Sequence, residues 1–226
     1  MINPDFKSWC AGQGIGINEV QLEQFKLFKD NLLEWNTRMN LTAITDDMGI
    51  WQKHFADSLT LLPFLPKARP QKPIRLIDVG CGAGFPGLPI KIMRPDIHMT
   101  MLDSLRKRVH FLKDTVSLLA LENIECVHAR AEDFAEAESG YDICTARAVA
   151  RLDKLCKWCL PFVRPAGGGD GGFFLAMKGP RTEDELSEAL STIHKMRAKV
   201  VSTNLIEISP GLIHSVIVIC YTGDYK

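Results

Sequence analysis

Two strand-like runs near the C-terminus, VVSTNLIEI (200–208) and SVIVICY (215–221), are separated only by SPGLIH. Six residues cannot carry a crossover helix, so these two strands must pair antiparallel. Upstream the chain follows the opposite rule. Apolar strand runs at 74–80, 98–103, 124–129, 141–148 and 172–179 are each followed by a helical stretch, for example RKRVHFLKDTVSLLAL over 106–121 and a last one near 182–198. Five strand–helix units closed by a hairpin predict an α/β fold: an open, mostly parallel seven-stranded sheet with a terminal antiparallel hairpin.

The first third of the chain reads differently. Leu22, Phe25, Phe28, Leu32 and Trp35 recur at steps of three and four, which predicts an amphipathic helix over 19–36. A second helix is expected over 47–62, with Ile50, Trp51, Phe55, Leu59 and Leu62 on its inner face. Polar TRMNLTAIT lies between them, and proline-rich LPKARPQKP (65–73) reads as a linker. The expected division is a small helical extension over 1–70 and a sheet domain over 71–226.

Bulk properties narrow the classes. Lysine and arginine together number 27 and so do aspartate and glutamate, so any nucleic-acid surface must be a local patch. Seven scattered cysteines suit buried thiols in a reducing compartment, and the lone CxxC of Cys156 and Cys159 reads as one face of a packed helix. No signal-peptide pattern opens the chain, and no run reaches the ~18 apolar residues of a membrane span. The expectation is a cytoplasmic protein without metal. No large apolar surface stripe is left over, so a monomer is expected.

The chemistry centres on RLIDVGCGAGFPGLP (75–89). The turn after the first strand of an open α/β sheet is a ligand site, and its glycines let a ligand approach the backbone. Gly82-x-Gly84-x-x-Gly87 fits a dinucleotide fingerprint, with Asp103 about 20 residues on as a ribose acceptor. Asp78 at the strand end points away from a pyrophosphate and toward a ligand with an ammonium group, such as S-adenosylmethionine. The terminal hairpin and the acid-bearing RAED turn (130–133) favour the same cofactor. Asp103 can hold the ribose hydroxyls under either reading, and a nicotinamide oxidoreductase stays open as the alternative.

The segments LLEWNTRMNLTAIT, HFADSL, DVGCGAGFPGLPIKI, RKRVHFLK, RAED, TARAVA and LAMKG occur in this order between residues 32 and 179. Together they resemble the glucose-inhibited division protein B family, the ribosomal RNA small subunit methyltransferase G family. The resemblance implies a class I S-adenosylmethionine-dependent methyltransferase fold. It implies methylation of N7 of one guanine in 16S ribosomal RNA, on the RNA or the small ribosomal subunit. It further implies that Gly80 and Phe85 touch the cofactor, Ala131 and Glu132 hold its adenine end, and Arg147 lies beside it. Gly82 belongs to the same turn. The glycine-rich GGGDGG (167–172) departs from the family's usual turn and reads as a mobile loop.

Guanine N7 carries an in-plane lone pair and no proton, so attack on a sulfonium methyl needs alignment but no general base. No triad is therefore expected. His54 and Asp57, three residues apart, either form a structural bond or sit over the reacting groups in a positioning role. Asn40 and Thr42 read as caps or as site contacts. Lys178 and Arg181 lie at or just beyond a strand end and are candidate phosphate contacts, as are Lys67, Arg69, Lys72 and Arg75 in the linker. Arg106, Lys107, Arg108 and Lys113 read as decoration of an exposed helix. Phe85 or Trp51 could receive an extruded base, Trp51 reading more naturally as core.

Overall fold

The computed structural model describes residues 4–69, 71–137, 140–166, 171–179 and 182–223. Two helices come first, α1 (Pro4–Gly12) and α2 (Glu19–Asn36). The alternating region holds β1 (Arg75–Val79), α3 (Gly87–Met93), β2 (His98–Asp103), α4 (Arg106–Leu118), β3 (Ile124–His128), α5 (Ala131–Ala137), β4 (Ile143–Arg147), α6 (Leu152–Cys159), β5 (Phe173–Lys178) and α7 (Thr182–Lys195). The hairpin β6 (Ala198–Ser209) and β7 (Leu212–Tyr221) ends the chain.

The seven strands run in the order β3-β2-β1-β4-β5-β7-β6, with β7 antiparallel to both neighbours. This is the mostly parallel sheet with an antiparallel terminal hairpin that the strand spacing predicts. The hairpin turn is tighter than the expected six-residue connection. Ser209 faces Leu212, so only Pro210 and Gly211 make the turn and both strands are longer than their apolar runs. The sheet is covered on both faces, which is why β1 is a continuous apolar run. Successive residues alternate between layers: Leu76 enters the core with the N-terminal helices, and Ile77 enters the core with α6 and α7.

An Asn18–Gln21 capping box starts α2, whose Leu22, Phe25, Phe28 and Leu32 are buried as predicted. Phe25 meets Phe55 at 5.0 Å and Phe28 meets Phe85 at 5.2 Å between ring centroids, so one aromatic cluster joins α2 to the glycine turn. Trp51 is core, 1% exposed and packed on Phe6 and Phe55. The sequence does not predict α1, which adds Phe6 and Cys10 to this core.

The helix expected over 47–62 is broken. Asp46 caps a single turn at Asp47–Gly49, a π-helical segment runs through Ile50–Ala56, and a last α-turn covers Asp57–Leu59. The Asp57 N–H reaches back to Gln52, one residue further than in an α-helix. Ile50, Trp51 and Phe55 stay buried while His54 and Asp57 reach across to Arg147 at the end of β4.

Candidate active site

The strand order reverses between β1 and β4, and the carboxyl ends of such strands open a crevice. Here β1 runs into the glycine turn. Gly80 has φ +69°, and a Cβ there would lie 2.8 Å from a Val149 methyl. Only glycine lets the 148–149 loop close this tightly. At Gly82, φ is +56° and the N–H donates to Asp103 Oδ2 at 2.9 Å. A Cβ at Gly82 meets nothing nearer than Gly80 O at 3.9 Å, so open space lies in front of it. Asp103 Oδ1 accepts the Leu105 N–H at 2.8 Å, and Arg108 stands 3.5 Å from Oδ2. Each carboxylate oxygen keeps acceptor capacity for a diol.

Asp78 does not face this space. It is fully buried, and its Oδ2 accepts the Gly87 N–H at 2.8 Å. Its Oδ1 has no partner among the described residues, and burial raises its carboxyl pKa to about 7. Asp78 organises the turn from beneath, so its effect on a ligand is not the direct contact that the sequence suggests.

Two adjoining cavities occupy the crevice. One, of about 270 Å³, is lined by Gly80, Asp103, Ala131, Glu132, Val149 and Trp158. The other, of about 480 Å³, includes Thr42, His54, Gly82, Phe85 and Arg147, and both share Gly80, Asp103, Ser104 and Val149. The first is a largely apolar slot with exposed Glu132 among its lining residues. The second is more polar.

Arg147 organises the polar wall. Its Nη1 donates to Asp57 Oδ2 at 2.7 Å and to Lys53 O at 3.1 Å, and its Nη2 to His54 Nδ1 at 3.3 Å. The guanidinium lies 5.0 Å from the Phe85 centroid, and His54 stacks on the same ring at 4.4 Å. Burial and the Arg147 charge lower the His54 pKa to about 4, so the ring is neutral at physiological pH. Asp57 Oδ1 also accepts from His214 Nδ1 at 2.6 Å. Burial alone would raise the Asp57 pKa, but the His214 hydrogen bond and the Arg147 guanidinium outweigh it and hold the carboxyl below its usual range.

The structure thus brings together Gly80, Gly82, Phe85, Asp103, Ala131, Glu132, Arg147 and His54 along one cleft, with Asp57 behind Arg147. RAED is the entry to α5 rather than a free turn. Lys178 is not an open cation. It is 9% exposed, paired with Glu185 at 2.6 Å and bonded to Ala150 O. Arg181 and most of GGGDGG lie outside the described residues. Sequence reasoning missed His214, Trp158 and Val149. His214 had one signal, a titratable side chain interrupting an otherwise apolar terminal strand.

A groove of about 480 Å³ continues from the cleft through Leu41, Leu105 and Arg108. Arg38, Arg106 and Lys107 join Arg108 along it, with Met39, Asn40, Leu41 and Leu105 between them. Among the described residues no acidic side chain lines it. Arg38 holds exposed Glu34 at 3.2 Å, a surface pair that contributes little.

Comparison with known proteins decides the family. The family model described as GidB, rRNA small subunit methyltransferase G, matches residues 21–210. The chain belongs to this family. It is 42% identical to the ribosomal RNA small subunit methyltransferase G of Clostridium perfringens (strain SM101) over 218 residues, 94% of this chain and 87% of the relative. The corresponding protein of Clostridium kluyveri is 42% identical over 194 residues, 84% of this chain and 78% of the relative. A mutant of MtNAS in complex with S-adenosylmethionine shares the fold at TM-score 0.57 and 9% identity, over 96% of this chain and 77% of that one. TrmN from Thermus thermophilus does so at TM-score 0.54 and 16% identity, over 76% and 53%. The fold is that of class I methyltransferases, and the family is one of enzymes that use S-adenosylmethionine.

Proposed function

We propose that the protein transfers the methyl group of S-adenosylmethionine to N7 of one guanine in small-subunit ribosomal RNA. The observation that carries this reading is the cleft itself. An apolar slot and a polar chamber meet at Gly80 and Asp103, with an open Gly82 on the chamber side, and family membership names the chemistry. The donor set fits the cofactor. Ala131, Val149 and Trp158 would flank its adenine, with Glu132 at the edge. Asp103 would accept the ribose hydroxyls, and Gly80 and Gly82 would give the amino-acid end access to backbone.

When bound, S-adenosylmethionine supplies an electrophilic methyl group on a sulfonium centre. The chain's residues hold and orient the two partners, since guanine N7 has no proton to lose. Phe85 is 5% exposed and stacked on by both Phe28 and His54, so it forms the back wall of the chamber that would receive a base drawn out of its stack and does not itself stack on that base. The purine gains positive charge on methylation. A neutral His54, and an Arg147 offset by Asp57, keep that wall from opposing the charge. The groove of Arg38, Arg106, Lys107 and Arg108 gives the flanking RNA strand a cationic path that bulk charge conceals. In this proposal Arg106, Lys107 and Arg108, which the sequence alone offers as decoration of an exposed helix, contact RNA. Seven free cysteines, most of them buried, suit a reducing compartment, and we place the protein in the cytoplasm. Among the described residues no helix is long and apolar enough to cross a membrane.

The test is transfer of labelled methyl from S-adenosylmethionine to small ribosomal subunits that lack this modification. Label recovered in 7-methylguanosine supports the reading. Label in another nucleoside overturns the substrate, and binding of NAD(H) in place of S-adenosylmethionine overturns the cofactor.

A further inference from the structure

Donors and acceptors around His54 leave one proton without a protein partner. Arg147 Nη2 can only donate, so His54 Nδ1 accepts its hydrogen bond at 3.3 Å. Burial and the Arg147 charge keep the ring neutral, with a pKa lowered to about 4, so it carries a single N–H. That N–H is therefore on Nε2, and it donates to Thr42 Oγ1 at 2.8 Å. The same oxygen accepts the Ile44 N–H at 3.0 Å. Both acceptor positions of the Thr42 hydroxyl are used. Its own O–H has no acceptor among the described residues, and Thr42 lines the chamber with Phe85 and Arg147.

We propose that the Thr42 hydroxyl donates a hydrogen bond to O6 of the target guanine and thereby selects guanine over adenine. This rests on the guanine-N7 reading above. O6 lies beside N7 on the same edge of the base, where guanine presents two acceptors and adenine presents an acceptor and the N6 amino donor. A hydroxyl could ordinarily reverse its role to meet adenine. Here it cannot, because Arg147 fixes the His54 tautomer and the two incoming N–H groups fill the Thr42 oxygen. Adenine would bring a donor against a donor and leave both unpaired, the situation that rejects substrates most strongly. Arg147 and His54 are positioning residues in this scheme, and of the three only Thr42 hydrogen-bonds the base.

The test pairs Thr42→Val and Thr42→Ser with two RNA substrates. One carries guanosine at the target position, and the other carries 2-aminopurine riboside, which keeps N7 and replaces O6 with hydrogen. The wild type is expected to lose about tenfold or more in kcat/KM on 2-aminopurine. Thr42→Val should lose a similar factor on guanosine and show no further loss on 2-aminopurine. Thr42→Ser should restore the preference, and cofactor affinity should be equal in all three proteins. A merely structural lesion in Thr42→Val would depress both substrates alike and preserve their ratio, which would overturn the proposal. A wild type that methylates both substrates equally would also overturn it. If the wild type places no label on N7 of guanosine, the guanine-N7 reading itself has failed.

Discussion

At the scale of single residues, the cleft depends on how two titratable groups, His54 and Asp57, share the Arg147 guanidinium. His54 is held neutral by burial and Arg147. An NMR titration should find its ring uncharged down to about pH 4, well below an ordinary histidine. The unfolded chain binds that proton between about pH 4 and 6.5, so this contribution to stability is complete above pH 6.5 and is lost as pH falls through that window. Asp57 behaves in the acidic sense. Its carboxyl is depressed, so its contribution is present above the ordinary aspartate range and disappears only under stronger acid. Asp57→Asn leaves Arg147 without its counter-charge. Denaturant unfolding should detect a loss on the order of 3 kcal/mol, as when one partner of a buried pair is removed. The spacing of His54 and Asp57 was visible in the sequence. Their common partner was not, because Arg147 lies 93 residues beyond His54 and only the folded sheet brings them together. His214, 157 positions after Asp57, was hidden for the same reason.

At the scale of elements, the strands were legible because a parallel sheet covered on both faces needs continuous apolar runs. The π-helical segment was not. Over seven residues a helix with one extra residue per turn buries nearly the same side chains as an α-helix, so Ile50, Trp51 and Phe55 fit either form. Nor was α1, whose nine residues give too little period to read. The glycine turn was legible in kind, but the role of Asp78 was inverted, since sequence cannot tell a carboxylate facing a ligand from one sealed beneath the turn. Gly80→Ala tests the turn. It forces a Cβ against Val149 in a left-handed conformation, a strain of about 1–3 kcal/mol. Thermal unfolding should register that loss, and calorimetry should find S-adenosylmethionine bound about tenfold or more weakly.

At the scale of the whole molecule, equal numbers of acidic and basic residues conceal a local asymmetry. Lys178, which the sequence offered at the end of β5, is internally paired, whereas Arg106 and Lys107 stand along the groove beside the cleft. Arg106→Glu with Lys107→Glu should weaken RNA binding and leave cofactor affinity unchanged. The slope of log affinity against log salt should shrink by about 1.4, from the roughly 0.7 expected per phosphate on a single strand. An unchanged slope would remove the groove from the RNA path. The central claim is that one cleft, opened by Gly82 at the end of β1, holds the methyl donor for the guanine. Methyl transfer by a Gly82→Trp protein, shown to be folded by circular dichroism, tests it most directly. Loss of both S-adenosylmethionine binding and 7-methylguanosine formation, with RNA binding retained, is the predicted result; undiminished transfer would contradict it.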